Sequence, residues 1–130
     1  MNPEVIKYLQ KASDCLSDAA YLLEGNRIEA SCNRSYYAIF DAIRAILVSE
    51  NITTKTHQGT HNKFRELFIK TKILPPELNE ILSESFNSRQ GSDYENDFDI
   101  SNDDTTRILK EANWFVEVIS EYLRKDDSKN

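Results

Sequence analysis

Apolar residues return every three or four positions through most of this chain, and that period is what most limits its fold. One stripe runs from Val5 through Tyr8/Leu9, Ala12, Leu16 and Ala19 to Leu22/Leu23. A second is Ile28, Cys32, Ser35/Tyr36, Ile39/Phe40, Ile43 and Ile46/Leu47. A third is Thr105, Ile108, Ala112, Phe115, Ile119 and Tyr122, with Trp114 on its flank. Side chains return to one helix face every ~3.6 residues, whereas a half-buried strand needs strict alternation, so three long amphipathic helices are predicted. Three glycines and three prolines are too few turn-formers for a sandwich of many short strands. The fold class is all-α.

Local punctuation divides the chain. Asn2-Pro3-Glu4 opens the first helix: Asn can cap, Pro suits the first turn, and Glu complements the positive helix end. Gly25-Asn26 ends it. The second helix is expected from near Arg27 to about Glu50, and so short a turn makes the two an antiparallel hairpin. Residues 51–60 are polar, contain Gly59 and suggest a loop, with a short third helix from His61 to about Lys70. Leu74-Pro75-Pro76-Glu77 is a break and restart. Leu78, Ile81, Leu82, Ser85 and Phe86 then give a short fourth helix ending near Arg89, and Ser101 to Asp104 can cap the last. The expectation is an antiparallel bundle of about five helices, three long and two short. It forms one domain over 1–125, followed by a disordered charged tail at 126–130.

The 130 residues leave room for one core. A formal charge of −6 and a pI of about 4.9 argue against general coating of nucleic acid, which needs broad phosphate neutralisation. The charge is uneven, net +4 from Lys55 to Lys72 and net −7 from Glu80 to Asp104. Two solvated faces of opposite sign are the simplest account; such a dipolar surface also suits self-association or a charged partner. Cys15 and Cys32 sit among apolar neighbours without metal-like spacing, as buried free thiols of a reducing compartment do. No apolar signal core and no membrane-length stretch is present, so a cytoplasmic location is expected.

Few residues carry candidate chemistry. His57 and His61, at i and i+4 in THQGTH, have the spacing of the histidines in a zinc motif. Gln58 stands where that motif has its glutamate, however, and no third ligand is spaced nearby, so no metal and no other cofactor is expected. A loop-to-helix cap or a polar interface contact is the simpler role. Arg34 lies among Tyr36, Tyr37 and Phe40, which supply aromatic surface, and the phenol of either tyrosine needs a polar partner if buried. It can satisfy an acid such as Asp93 across the bundle, or converge with Arg89 on a phosphate. Arg89, Asp93 and Tyr94 end the fourth helix, where a cationic fork beside a phenol can hold a phosphate or a carbonyl. No Ser-His-Asp or Cys-His set and no phosphate-loop glycine pattern is found.

Four segments in order, RSYYAIFDAIRAIL (34–47), KTHQGTHNKFRELFI (55–69), SRQGSDY (88–94) and ILKEANWFVEVISEYL (108–123), resemble the HEPN superfamily. The chain is similar to its small prokaryotic branch with an R-x3-D-Y signature, across roughly residues 5–123. The resemblance implies an all-α bundle, a homodimer, and a gene often placed beside that of a minimal nucleotidyltransferase. Many members are metal-independent ribonucleases with an R-x4-6-H motif. Arg89 matches the arginine; the histidine positions hold Tyr94, Glu95 and Asn96, and a phenol of pKa ~10 is a poor base at neutral pH. In some toxin-like members a tyrosine two residues past the histidine accepts a nucleotide; Asn96 fills that slot. The leading expectation is a homodimeric binding module for a nucleotide or a partner nucleotidyltransferase, in a toxin–antitoxin-type pair, with a ligand region of Arg34, Arg89, Asp93, Tyr94, His57 and His61. The alternatives are a metal-independent ribonuclease, with Arg89 and Tyr94 or a histidine from the 57–61 segment as its catalytic pair, and a corner that only locks helix ends at a dimer interface.

Overall fold

The computed structural model describes residues 1–94 and 101–128, with their side chains except those of 90–94 and 128. Its helices are α1 (Pro3–Glu24), α2 (Ile28–Ser49), α3 (His57–Phe64), α4 (Glu77–Tyr94) and α5 (Asn102–Ser128), with a π-helical turn at Arg65–Ile69 continuing α3. No strand occurs among the described residues. The bundle expected from the apolar period is the fold observed. None of the described helices is long and apolar enough to cross a membrane.

The ends of the first hairpin follow from local chemistry. Asn2 Oδ1 accepts from the Glu4 amide at 2.8 Å, satisfying one of the donors that α1 leaves orphaned at its start. Asn26 and Asn51, both at φ 60°, take the left-handed conformation just past α1 and α2, which asparagine tolerates better than most residues. The pairing of α1 with α2 is antiparallel: Ser31 Oγ donates to the Ala19 carbonyl at 2.8 Å, and Arg44 Nη2 donates to the Tyr8 hydroxyl at 2.7 Å.

α2 is the central element, packed against α1, α3, α4 and α5. Burial on several sides explains its composition. Ala38, Ala42 and Ala45 admit close neighbours, while Ile39, Ile43, Ile46 and Leu47 fill the core they share with Leu78, Leu82, Phe115 and Ile119. α5 runs back along the bundle, its start held where the Thr105 hydroxyl lies 3.6 Å from Cys32 Sγ. At its other end the Met1 amino group pairs with Asp127 at 3.1 Å.

Three boundaries differ from expectation. The third helix begins at His57, inside the segment read as loop, because Thr56 Oγ1 accepts from the Gly59 amide at 2.9 Å and caps it. Both histidines are therefore helical. The fourth helix continues past Arg89 to Tyr94 and is 18 residues long, carrying Gly91 within it; a single glycine costs a helix about 1 kcal/mol relative to alanine, which packing can offset. α5 includes residues 126–128, which composition marks as tail; residues 129–130 lie outside the described ones.

Candidate functional site

Tyr36 is at the centre of the polar chemistry, although the sequence marks it only as a phenol in want of a partner. It is fully buried on α2. Its hydroxyl lies 2.6 Å from His57 Nδ1 and 2.8 Å from His61 Nε2. The i, i+4 spacing on α3 puts both imidazoles on the face turned to α2, so one phenol meets both. His57 does not cap the helix, as was one expectation; Thr56 does.

Aromatic packing fixes these rings. The His57 ring stacks on Phe40 at 4.3 Å between centroids, and His61 meets Phe86 edge-on at 4.9 Å. Tyr36 lies edge to face with Tyr37 at 5.2 Å. Burial makes charge costly here, and the imidazoles stay neutral. His61 is pushed down to about 4, by desolvation first and by Arg65 and His57 after it. The His57 pKa is also lowered, by burial and then by Arg89 and Arg44. Burial drives the Tyr36 phenol well above its ordinary range. At neutral pH the His57–Tyr36–His61 series is uncharged and hydrogen-bonded, and His61 is its sealed end (1% exposed). His57 is half-buried, and its Nε2 makes no hydrogen bond among the described residues.

Two arginines flank the open end. Arg34, on α2, stands over the Tyr37 ring at 4.9 Å from its centroid, and Arg89, on α4, at 5.5 Å. Arg89 Nη2 also donates to the Tyr37 hydroxyl at 3.1 Å. Positions 34 and 37 are one turn apart on α2, so the cation–π contact of Arg34 follows from helical spacing. Arg34 donates to Asn33 Oδ1 at 2.9 Å and lies 3.9 Å from Cys15 Sγ, but forms no salt bridge among the described residues. The Arg34 pairing expected with Asp93, and the ligand role of Asp93 and Tyr94, fall on side chains outside the described ones. A third cation, Arg44, stacks on Tyr8 at 4.4 Å and is 4.0 Å from Asp41.

Four of the six residues singled out in the sequence, Arg34, Arg89, His57 and His61, thus gather around Tyr36 and Tyr37. Of the residues that join them, Tyr36, Phe40 and Phe86 were legible as aromatic positions of two stripes, and Tyr36, Tyr37 and Phe40 as the aromatic surroundings of Arg34. The local signal that could have found them is Arg34-x-x-Tyr37 on one helix and His57-x3-His61 on another. Chemically, the arrangement gathers two guanidinium groups on one phenol ring, with a neutral imidazole beside it, groups of the kind that bind a phosphate or another oxyanion.

The class the fold defines is an all-α helical bundle, and sequence comparison narrows it to one family. The family model described as HEPN domain matches residues 5–122, and the chain belongs to that family. Among curated relatives, a Methanocaldococcus jannaschii protein named "Putative toxin" is 30% identical, aligned over 92% of this chain and 82% of its own length. A second protein of that organism with the same designation is 29% identical over 94% of this chain and 90% of its own. A Thermotoga maritima protein named UPF0332 protein is 27% identical over 92% of each.

Proposed function

We propose that this chain is the HEPN member of a toxin–antitoxin-type pair and that it binds a phosphate group, of a nucleotide or of RNA, at Arg34, Arg89, Tyr37 and His57. One observation carries the reading: two arginines from different helices converge on the same tyrosine ring, beside a half-exposed neutral imidazole. Arginine forks prefer planar, bidentate anions, and a neutral histidine can donate to one without adding its own charge. The names of the M. jannaschii relatives support the toxin–antitoxin setting. A homodimer and a minimal nucleotidyltransferase partner belong to the same proposal and rest on the family resemblance.

A second reading, metal-independent cleavage of RNA, is favoured by one feature. The histidine missing after Arg89 has a candidate substitute in space: the His57 ring lies 5.9 Å from that of Tyr37, the phenol that accepts from Arg89 Nη2. An imidazole that is neutral at pH 7 is in the form a general base requires.

One paired assay decides between them. Wild type, Arg34→Ala, Arg89→Ala and His57→Gln are compared for thermal shift with a panel of nucleotides and a 5′-phosphorylated short RNA, and for RNA cleavage in a chelator. The binding reading expects a ligand-dependent rise in Tm, no cleavage, and affinity about tenfold weaker in either arginine variant, as loss of a charge-assisted hydrogen bond implies. Cleavage that disappears in both Arg89→Ala and His57→Gln replaces it with the ribonuclease reading. No ligand shift and no cleavage removes both.

A further inference from the structure

Tyr36 has one hydroxyl proton and two imidazole neighbours, His57 Nδ1 at 2.6 Å and His61 Nε2 at 2.8 Å. No third hydrogen-bond partner of that hydroxyl exists among the described residues. Its proton must go to one imidazole, which accepts through a bare nitrogen. The other imidazole has to meet the same oxygen as an N–H donor, since a second bare nitrogen at this range would face the oxygen lone pairs with no proton between them. The two histidines therefore hold opposite roles. A neutral imidazole carries one N–H, so the state of His57 Nδ1 also decides whether its Nε2 carries a proton.

Burial sharpens the constraint. Tyr36 and His61 are 0% and 1% exposed, and no water layer loosens their contact. A charge placed on His61 would be poorly solvated, so the chain cannot serve as a proton store. What it can do is hold an orientation. Phe40 stacked on His57, and Phe86 edge-on to His61, leave the rings little freedom to swing away.

We propose that Tyr36 and His61 are positioning residues that lock His57 into one tautomer and turn its Nε2 outward, toward the group held by Arg34 and Arg89. The opposite roles of the two histidines stand on the hydrogen-bond geometry alone; the single tautomer of His57 and its use rest on the anion-site reading above. It gives the THQGTH segment a role other than metal binding or capping. His57 is the working ring, and His61, one helical turn behind it, sets the state of that ring through a phenol.

The test reads the ring nitrogens of the full chain by 15N–1H NMR. In the wild type, one of the two nitrogens facing Tyr36 should carry a proton and the other should not, with His57 in a single tautomer. Tyr36→Phe keeps the ring packing and removes the hydroxyl, and the tautomer ratio at His57 should fall about tenfold toward that of a free imidazole. Facing nitrogens both protonated or both bare in the wild type would overturn the lock, as would an unchanged ratio in Tyr36→Phe. Should that variant not fold, the wild-type spectrum decides by itself. Titration with a 5′-phosphorylated short RNA separates the two claims. A lock without Arg34-dependent binding leaves the lock standing and removes the anion site. With the lock present, a proton on His57 Nε2 supports anion binding, and a bare Nε2 supports the cleavage reading.

Discussion

Two aromatic clusters lie along one face of α3 and the turn that follows it, and they are built on opposite principles. At one end His57 and His61 join Tyr36, Phe40 and Phe86. At the other, Phe64 and Phe68 pack with each other at 6.0 Å, and Phe64 with Phe115 of α5 at 5.6 Å. Both use tilted and edge-on rings, and both are closed to solvent at their centres. The difference is in the polar atoms. The phenylalanine cluster has none to satisfy, so its packing returns the full hydrophobic gain. The histidine–tyrosine cluster buries the Tyr36 hydroxyl and the His61 ring, joins them to half-buried His57, and the bonds at that hydroxyl make the protonation of each histidine depend on the other. One cluster joins its segment to α5 through apolar contact alone, and the other joins α3 to α2 through polar atoms as well.

Truncation should separate the two most sharply. Phe115→Ala removes a fully buried ring from the phenylalanine cluster and should cost about 3–5 kcal/mol, read as a lower denaturant midpoint. That is a large share of the stability of a domain this size. Below its new melting point the variant should keep the His57 tautomer and affinity for the phosphate probe. Loss of either would mean that the clusters are not independent.

Acid should act on the other cluster. Unfolded histidine titrates near 6.5, whereas folded His61 stays neutral down to about 4. Between those values unfolded His61 binds more protons than folded His61, so its contribution to stability falls as pH drops through that window and is fully lost below it. The gap corresponds to about 3 kcal/mol for His61, and His57, whose pKa is lowered as well, adds a contribution of the same sign. Urea melts at pH 7 and 4.5 measure it. His61→Gln should be less stable at pH 7 and lose most of the His61 share of the slope; an unchanged slope would place the acid response elsewhere.

These clusters were not equally visible in the sequence. Phe64, Phe68 and Phe115 belong to apolar stripes, and a stripe names its buried face without knowledge of the partner. The bundle was legible for the same reason. Arg34 and Arg89 were legible as candidates because an arginine amid aromatic or helix-end residues is uncommon enough to notice. Tyr36 was not, since a tyrosine in an apolar stripe looks like core until its neighbours are known. Its partners lie 21 and 25 residues away, across a segment whose glycine suggested a loop. The competing principle was the cap: Thr56 starts the helix four residues earlier than Gly59 had implied, and only that early start brings His57 to Tyr36.

The smallest predicted effects therefore concern the cap. Thr56→Ala removes the bond to the Gly59 amide and should cost about 1 kcal/mol. It should also fray the first turn of α3, loosening His57 more than His61, with no effect on the phenylalanine cluster. Gly59→Ala is subtler, because two terms oppose. Alanine favours the helix over glycine by about 1 kcal/mol. A Cβ at residue 59 would, however, sit 3.0 Å from Thr56 Oγ1, the atom that caps the helix. The threonine side chain must shift by a few tenths of an ångström, which weakens its bond to the amide beside that Cβ. The net change in the wild-type background should be within about 0.5 kcal/mol of zero. In a Thr56→Ala background the crowding is gone, and the same Gly59→Ala substitution should stabilise by nearly the full ~1 kcal/mol. A double-mutant cycle on thermal melts reads the difference directly. Equal effects in the two backgrounds would show that the cap and the glycine act separately, and that Gly59 serves the loop-to-helix junction in some way other than making room for Thr56.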